Sequence, residues 1–192
     1  MRSVGYDIVD LALTDPARSA LAGFAGKILS PRDIPCPSPL SHHQYLWLCW
    51  SVKEAVYKYA CRLQPGLVFS PTRIVLESLD DRYHASVRWG AGQYFTQTTV
   101  TDRYLVTVAH DGTPVRCGFQ ALPDDADPSL AVRALVLSAT GPGWSVETRP
   151  DGCPTLVGPG GRVPVSFSHH GAYAGYSFTL PGDGWFTLPG DC

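Results

Sequence analysis

Residues 47–62 constrain the fold of this chain more than any other stretch, because they carry the pattern of one long helix. Ser41 stands at a helix N-cap position, and Gln44 follows three residues later, at the spacing of a capping box. Pro65 and Gly66 supply a stop signal. Apolar residues recur at helical spacing on one face, which predicts a stripe facing the core. This stripe comprises Leu48, Val52, Ala55, Tyr59 and Leu63.

A second face of the same predicted helix is polar. Ser51, Glu54, Lys58 and Arg62 lie three or four residues apart, so their side chains share one stripe. The simplest interpretation is a solvated face, where a Glu54–Lys58 ion pair contributes about 0.2–0.5 kcal/mol. The alternative is a functional surface, and two other stretches favour it: residues 5–9 near the start and residues 166–174 near the end.

Periodicity of two dominates the rest of the chain. Residues 3–9 alternate as a half-buried strand, which places Asp7 on the opposite face from Tyr6 and Ile8. A short helix is predicted from Pro16 to about Phe24. Four strand-like runs separated by turn signals then predict an antiparallel meander. These runs cover residues 73–79, 83–89, 94–100 and 104–110.

The second part of the chain also combines a predicted helix with predicted strands. Residues 128–138 read as a helix capped by Asp127, and residues 144–149 and 153–157 as a hairpin. Residues 163–168 and 172–180 are further strands, and the last twelve residues are expected to form a loose tail. We therefore predict an α+β chain in which a helix with strands, residues 1–76, is followed by strands with a helix, residues 77–192.

Composition narrows the function. The chain has 192 residues and a net charge of −2, so no overall basic excess points to nucleic acid. No signal peptide is visible, and no apolar run approaches the roughly 20 residues of a membrane span. The six cysteines form no CxxC pair, which disfavours zinc. Free thiols in the cytoplasm are the expectation.

Carboxylates on rigid elements suggest metal chemistry. Asp7 on a strand and Glu54 on a helix are hard oxygen ligands, and a small number of them suits Mg²⁺ completed by waters and substrate phosphates. Lys58, one turn after Glu54, would face the same phosphates. Ser168 and His169 end a strand just before a glycine, where donors can reach a phosphate. This combination predicts phosphoryl chemistry on a diphosphate substrate, driven by positioning and charge neutralisation.

Three motifs resemble those of the 4′-phosphopantetheinyl transferase superfamily, in the order of its short, holo-acyl-carrier-protein-synthase type. The second motif is the most specific of the three. They read Gly5-x-Asp7-Ile8-Val9, Trp50-Ser51-x-Lys53-Glu54-Ala55-x-x-Lys58 and Ser166-x-Ser168-His169-x-x-x-Tyr173-Ala174.

The resemblance implies transfer of the phosphopantetheine arm of coenzyme A to a serine of an apo acyl or peptidyl carrier protein, with release of 3′,5′-adenosine diphosphate. Asp7 and Glu54 would hold Mg²⁺. Lys58 would bind phosphate and help to stabilise the leaving group. Glu54, or a metal-bound water near it, would be the base for the carrier serine.

The resemblance also implies a coenzyme A site. Lys53 would lie at its edge, and Ser168 and His169 would contact the coenzyme A phosphates. Arg32 and Arg62 are candidates for contact with the carrier, because carriers are usually acidic. The carrier itself, from fatty acid, polyketide or nonribosomal peptide synthesis, stays open.

Two departures from the family pattern shape the expected assembly. Larger members carry a second acid at the position of Val9, so Mg²⁺ would have two protein ligands here. The chain is also longer than the short type, which forms trimers. The resemblance therefore implies a monomeric pseudo-dimer of two similar α+β halves, each with an antiparallel sheet and a long helix. Its site would lie between the halves, with Asp7 and Glu54 from the first and Ser168 and His169 from the second.

Three alternatives remain. His169 is an ordinary loop histidine in the simplest interpretation. In a second interpretation, the chain is a non-catalytic module that binds carrier proteins. In a third it is a Mg²⁺-dependent hydrolase of coenzyme A, which needs a water where the carrier serine would enter.

Overall fold

A computed structural model describes residues 2–179, which form two five-stranded antiparallel sheets and four helices. The first sheet and its helices span β1 (Gly5–Asp10), α1 (Pro16–Ser19), α2 (Ala22–Ala25), α3 (His42–Cys61), β2 (Ile74–Leu79), β3 (His84–Trp89), β4 (Gly92–Val100) and β5 (Tyr104–His110). The second spans β6 (Val115–Ala121), α4 (Pro128–Thr140), β7 (Ser145–Thr148), β8 (Pro154–Gly158), β9 (Gly161–His170) and β10 (Tyr173–Thr179). Single 3₁₀ turns at Leu11–Leu13 and Pro71–Arg73 complete the first group.

The two sheets share one topology. In each, a strand leads to a helix, and a four-stranded meander follows whose last strand pairs with the first. The strand orders are β1-β5-β4-β3-β2 and β6-β10-β9-β8-β7. The predicted α+β fold with two similar halves, each an antiparallel sheet plus a long helix, is therefore confirmed.

The division between the halves differs from the predicted one. A boundary between residues 76 and 77 would separate β2 from β3, which are hydrogen-bonded neighbours in one sheet. The structure changes sheet between His110 and Val115, at the Asp-Gly turn that follows β5. The reason is that the meander returns to β1, so all its strands belong to the first half.

Helix α3 forms as predicted. The side chains of Ser41 and Gln44 make the reciprocal capping box, and the apolar stripe residues Leu48, Val52 and Ala55 are fully buried against the first sheet. Leu63, predicted on the same stripe, is 38% exposed because α3 ends at Cys61. Ser51 of the polar stripe is also buried. Its hydroxyl donates to the Thr107 hydroxyl of β5 at 2.8 Å, so this motif residue anchors the helix to the sheet.

Strand β1 is buried on both faces, whereas the alternation predicted a half-buried strand. One face packs on α3. The other face, with Val4, Tyr6 and Ile8, forms an apolar cluster with β5 and β6 that joins the halves. The predicted opposition of Asp7 to Tyr6 and Ile8 is correct. The surroundings of β1 differ from the prediction, because the second half of the chain covers the face of the strand that was expected to be exposed to solvent.

Several other elements differ from the predicted ones. The predicted helix over residues 16–24 is two short helices, α1 and α2. Strand β6 was not predicted, since Gly118 interrupts its pattern. That glycine is needed because a Cβ there would lie 2.9 Å from the hydroxyl of Tyr176. The predicted tail lies outside the described residues. No helix within residues 2–179 is long and apolar enough to cross a membrane.

Candidate active site

Asp7 reaches its position because β1 approaches α3 unusually closely. A Cβ added to Gly5 would lie 1.9 Å from the carbonyl oxygen of Ala55, so only glycine fits there. Ala55 itself is fully buried. Asp7, two residues after Gly5, has its side chain on the same face of the strand. The close approach therefore sets Asp7 directly against the helix stripe that carries Glu54 and Lys58.

Lys58 links the two carboxylates. Its ammonium group lies 3.1 Å from Asp7 Oδ1 and 3.1 Å from Glu54 Oε1, and it donates to the Tyr6 carbonyl at 3.0 Å. Burial by itself would lower the pKa of Lys58, but the charges of Asp7 and Glu54 outweigh burial and raise it. Lys58 is therefore a fixed cation at neutral pH.

Asp7 is also held by the second half of the chain. The Ser168 hydroxyl of β9 donates to Asp7 Oδ1 at 2.8 Å. Burial raises the pKa of Asp7 from 3.8 to about 6, and Lys58 opposes this rise. Among residues 2–179, the buried Oδ2 atom of Asp7 has no hydrogen-bond partner. One oxygen of this carboxylate is thus held in place and the other is available to a ligand.

These groups fit a hard divalent cation. The Lys58 ammonium group contacts Asp7 through Oδ1 and Glu54 through Oε1, each at 3.1 Å, so the two carboxylates are close neighbours. The Glu54 side chain is 25% exposed, so a ligand can reach it. No group of three or more potential metal ligands occurs within the part of the chain that the structure describes. Two carboxylates are too few to enclose Ca²⁺, but they are sufficient for Mg²⁺ that keeps waters and takes substrate oxygens.

His169 does not join this cluster. Adjacent residues of a strand point to opposite faces, so Ser168 faces Asp7 while His169 is exposed on the other side of β9. His170 returns to the inner side. Its Nδ1 accepts the Asp10 backbone N–H at 3.0 Å, and its ring lies 6.2 Å from that of Trp47. The second histidine thus ties β9 to β1.

Lys53 is likewise absent from the cluster. It is fully buried, and its ammonium group lies 2.6 Å from Asp33 and donates to the Ile28 carbonyl at 2.9 Å. Lys53 therefore fastens the segment before α3 to the helix. Sequence reasoning did not identify Asp33 as its partner, and no motif marks that residue.

A cavity of about 420 Å³ opens beside Lys58. Arg62, at the end of the polar stripe, lines it and is only 5% exposed, so it offers little surface to a carrier protein. Its guanidinium donates to the Pro154 carbonyl at 2.9 Å and to the Val165 carbonyl. Arg62 therefore joins α3 to the second half. The other lining residues come mainly from the second half: Cys61, Arg133, Thr148, Asp151, Gly152, Cys153, Pro154, Ser166 and Phe167.

Ser166 is a functional position whose role was not predicted, although it belongs to the third motif. Its hydroxyl accepts the Tyr6 backbone N–H at 3.0 Å. Ser166, Ser168 and His170 alternate along β9, and each bonds to a different residue of β1. This spacing of two was the available signal, because residues on one face of a strand recur with that period.

Comparison with known proteins agrees with this site. A family model described as the 4′-phosphopantetheinyl transferase superfamily matches residues 3–109, a range that includes Asp7, Glu54 and Lys58. No curated protein and no solved structure matches the chain. The matched range covers the whole first half and more than half of the chain. The chain therefore belongs to the 4′-phosphopantetheinyl transferase superfamily.

Proposed function

We propose that this protein transfers the 4′-phosphopantetheine group of coenzyme A to a serine of an apo acyl or peptidyl carrier protein, giving holo carrier and 3′,5′-adenosine diphosphate. One observation carries the proposal. Asp7, Glu54 and Lys58 form a single bonded cluster beside a cavity, and Ser168 completes it from the other half. Such a cluster combines anionic metal ligands with a fixed cation for phosphate.

The proposed cofactor is Mg²⁺, held by Asp7 and Glu54. The free, buried Oδ2 of Asp7 supports this role, since an unpaired buried carboxylate oxygen is costly without a ligand. When bound, Mg²⁺ would neutralise charge on the pyrophosphate of coenzyme A. Ser168 serves this site indirectly, because its hydrogen bond fixes the orientation of Asp7.

Coenzyme A is proposed to lie in the cavity with its pyrophosphate at Lys58. Lys58, Arg62 and Arg133 line the cavity together with one acid, Asp151, so positive charge predominates in its lining. Lys58 would bind the pyrophosphate and stabilise the 3′,5′-adenosine diphosphate that leaves. Lys53 and His169, predicted as coenzyme A contacts, lie away from this cavity.

Glu54 is the proposed base. Its carboxylate is partly exposed while Asp7 is buried, so the carrier serine can approach Glu54 directly or through a water. Glu54 would take the proton of the serine hydroxyl as its oxygen attacks the phosphorus of the phosphopantetheine arm. Lys58, bonded to both carboxylates, holds Glu54 in position for this step.

The test is intact-mass spectrometry of apo carrier proteins incubated with this protein, coenzyme A and Mg²⁺. Carriers from fatty acid, polyketide and nonribosomal peptide systems should be compared. We expect a phosphopantetheine mass gain that EDTA abolishes and that Glu54→Gln reduces about 100-fold or more. Glu77→Gln is the matched control, because Glu77 pairs with Arg88 on the surface of β2.

Two results would contradict the proposal. Cleavage of coenzyme A with no gain of mass on any carrier would indicate a hydrolase. Carrier binding without chemistry, unchanged by Glu54→Gln, would indicate a non-catalytic module. A cytoplasmic location is also part of the proposal, and the five free cysteines among residues 2–179 support it.

A further inference from the structure

Two thiols meet at the cavity beside Lys58. Cys61 ends α3 in the first half, and Cys153 precedes β8 in the second half. Both line the cavity, both are partly buried, and Cys153 is near enough to Cys61 to help raise the pKa of its thiol. Neither the metal ligands nor the proposed base involves them. The fold therefore brings together two thiols that are 92 positions apart in the sequence.

A buried cation lies against this pair. Arg62 follows Cys61 directly, is only 5% exposed, and is close enough to both thiols to interact with them electrostatically. Among the described residues, its buried Nε atom has no hydrogen-bond partner. A neighbouring guanidinium favours thiolate, the form that attacks disulfides.

We propose that Cys61 and Cys153 are a reversible dithiol–disulfide pair, oxidised by low-molecular-weight disulfides, and that the disulfide restricts the cavity. The regulatory part rests on the proposed function, because it assumes that coenzyme A occupies this cavity. Formation of the disulfide does not depend on it. Cytoplasmic proteins that carry disulfides commonly use them as redox sensors rather than as structural links.

The exchange balances as two successive displacements. The Cys153 thiolate attacks one sulfur of the small disulfide, the sulfur–sulfur bond breaks, and one small thiolate leaves. Cys61 then loses its proton and attacks the Cys153 sulfur, which expels the second small thiol. The protein loses two electrons and two protons, and the small disulfide gains them. Cys61 is the resolving thiol because its Sγ donates to the Lys58 carbonyl at 3.3 Å, and because burial, with Cys153 beside it, raises its pKa to about 11.

The disulfide would act on the cavity mechanically. It replaces the non-bonded approach of two thiols by a sulfur–sulfur bond of about 2.05 Å, so it draws the turn before β8 toward α3. This contraction narrows the cavity next to Lys58. The same bond ties the two halves covalently and closes a long loop, which should raise the thermal midpoint of unfolding by at least about 5 °C.

The first arm of the test examines disulfide formation alone. The protein is incubated with oxidised glutathione, without coenzyme A or carrier, and mapped by peptide mass spectrometry. We expect a Cys61–Cys153 cross-linked peptide that dithiothreitol removes. Cys61→Ser should instead retain a glutathione adduct on Cys153. Exposed Cys36 is an internal control for the reagent. Modification of Cys36 with no cross-link, or persistent glutathione adducts on Cys61 and Cys153 of the unmutated protein, would overturn the proposal.

The second arm tests the effect on the cavity. The oxidised and reduced forms of each protein are compared as a ratio of kcat/KM for coenzyme A. We expect at least a fivefold lower value for the oxidised protein, restored by dithiothreitol, and a ratio near one for the double variant Cys61→Ser/Cys153→Ser, which can form neither the cross-link nor an adduct at the cavity. A cross-link that forms without changing this ratio would overturn the regulatory part. Absence of transferase activity in the reduced protein would refute the proposed function instead, and the mapping result would stand.

Discussion

Asp7 illustrates at the residue scale how the fold changes a side chain. In the sequence it is an acid within a strand, where acids are disfavoured. In the structure it is buried between α3 and β9, and burial raises its pKa to about 6 despite Lys58. Its proton is therefore bound more tightly in the folded chain than in the unfolded one. Asp7 is nonetheless mostly ionised at neutral pH, as a metal ligand requires.

This raised pKa predicts a pH dependence of stability. The contribution of Asp7 is complete below about pH 4, declines as pH rises toward 6, and is constant above that. In Mg²⁺-free buffer, Asp7→Asn should therefore gain up to about 3 kcal/mol in free energy of unfolding relative to the unmutated protein between about pH 4 and pH 7. Urea unfolding at several pH values measures this difference. A constant difference would show that the pKa of Asp7 is not raised.

Side chains within one motif point to different parts of the molecule for simple geometric reasons. Glu54 and Lys58 are four apart on α3 and share a face, whereas Lys53 is one position away and points into the core toward Asp33. Ser168 and His169 diverge in the same way, because neighbouring strand residues alternate. Sequence motifs therefore identify the segments of this site better than the individual side chains.

At the element scale, the contact of β1 with α3 decides the site geometry. Gly5 allows the strand backbone to touch the helix backbone at Ala55. Ser51, one turn before Ala55, joins the same side of α3 to β5 through Thr107, which also bonds to Thr98. The helix thus sits at a defined height above the sheet, and that height sets the separation of Asp7 from Glu54.

Gly5→Ala should therefore weaken the fold and displace Asp7. The added methyl would lie 1.9 Å from the Ala55 carbonyl oxygen, and neither backbone can yield without moving an element. We expect a loss of about 1–3 kcal/mol or more in free energy of unfolding, measured by urea denaturation. Gly23→Ala is the control, because a Cβ at Gly23 has no atom within 4 Å. An equal effect from both substitutions would contradict the close approach.

At the scale of the whole molecule, the halves are joined by an apolar cluster and by polar ties. Val4, Tyr6 and Ile8 pack against β6. The serines of β9 bond to β1, and Arg62 reaches from α3 to carbonyls of β8 and β9. The candidate site lies among these hydrogen bonds between the halves, so its geometry depends on how the two halves pack against each other.

Arg62→Ala should loosen this docking. The substitution removes the donors to the Pro154 and Val165 carbonyls, and buried acceptors left unpaired are costly. We expect a loss of about 2–4 kcal/mol in free energy of unfolding, and faster amide hydrogen exchange in β8 and β9. Arg32→Ala, on an exposed residue, should change stability by no more than about 0.5 kcal/mol. Similar losses for both variants would refute the role of Arg62.

The site is assembled from both halves of one chain, so a second subunit is not needed to complete it. We therefore predict a monomer in solution, with a mass of 20.8 kDa by light scattering. A trimer whose dissociation abolished activity would contradict this prediction. The control is the same measurement over a range of protein concentrations, since assembly would depend on concentration.

The sequence by itself determined most of the elements and the residues of the first half that meet. Helical periodicity, a capping box and strand alternation are local, so they predicted α3, the meander and the facing of Asp7. Only the tertiary structure decided which half each strand joins, that β1 is buried on both faces, and that Ser168 rather than His169 meets Asp7. It also decided the pairing of Lys53 with Asp33 and the docking of Arg62. These features depend on contacts between residues that are far apart in the chain, and local sequence patterns do not predict such contacts.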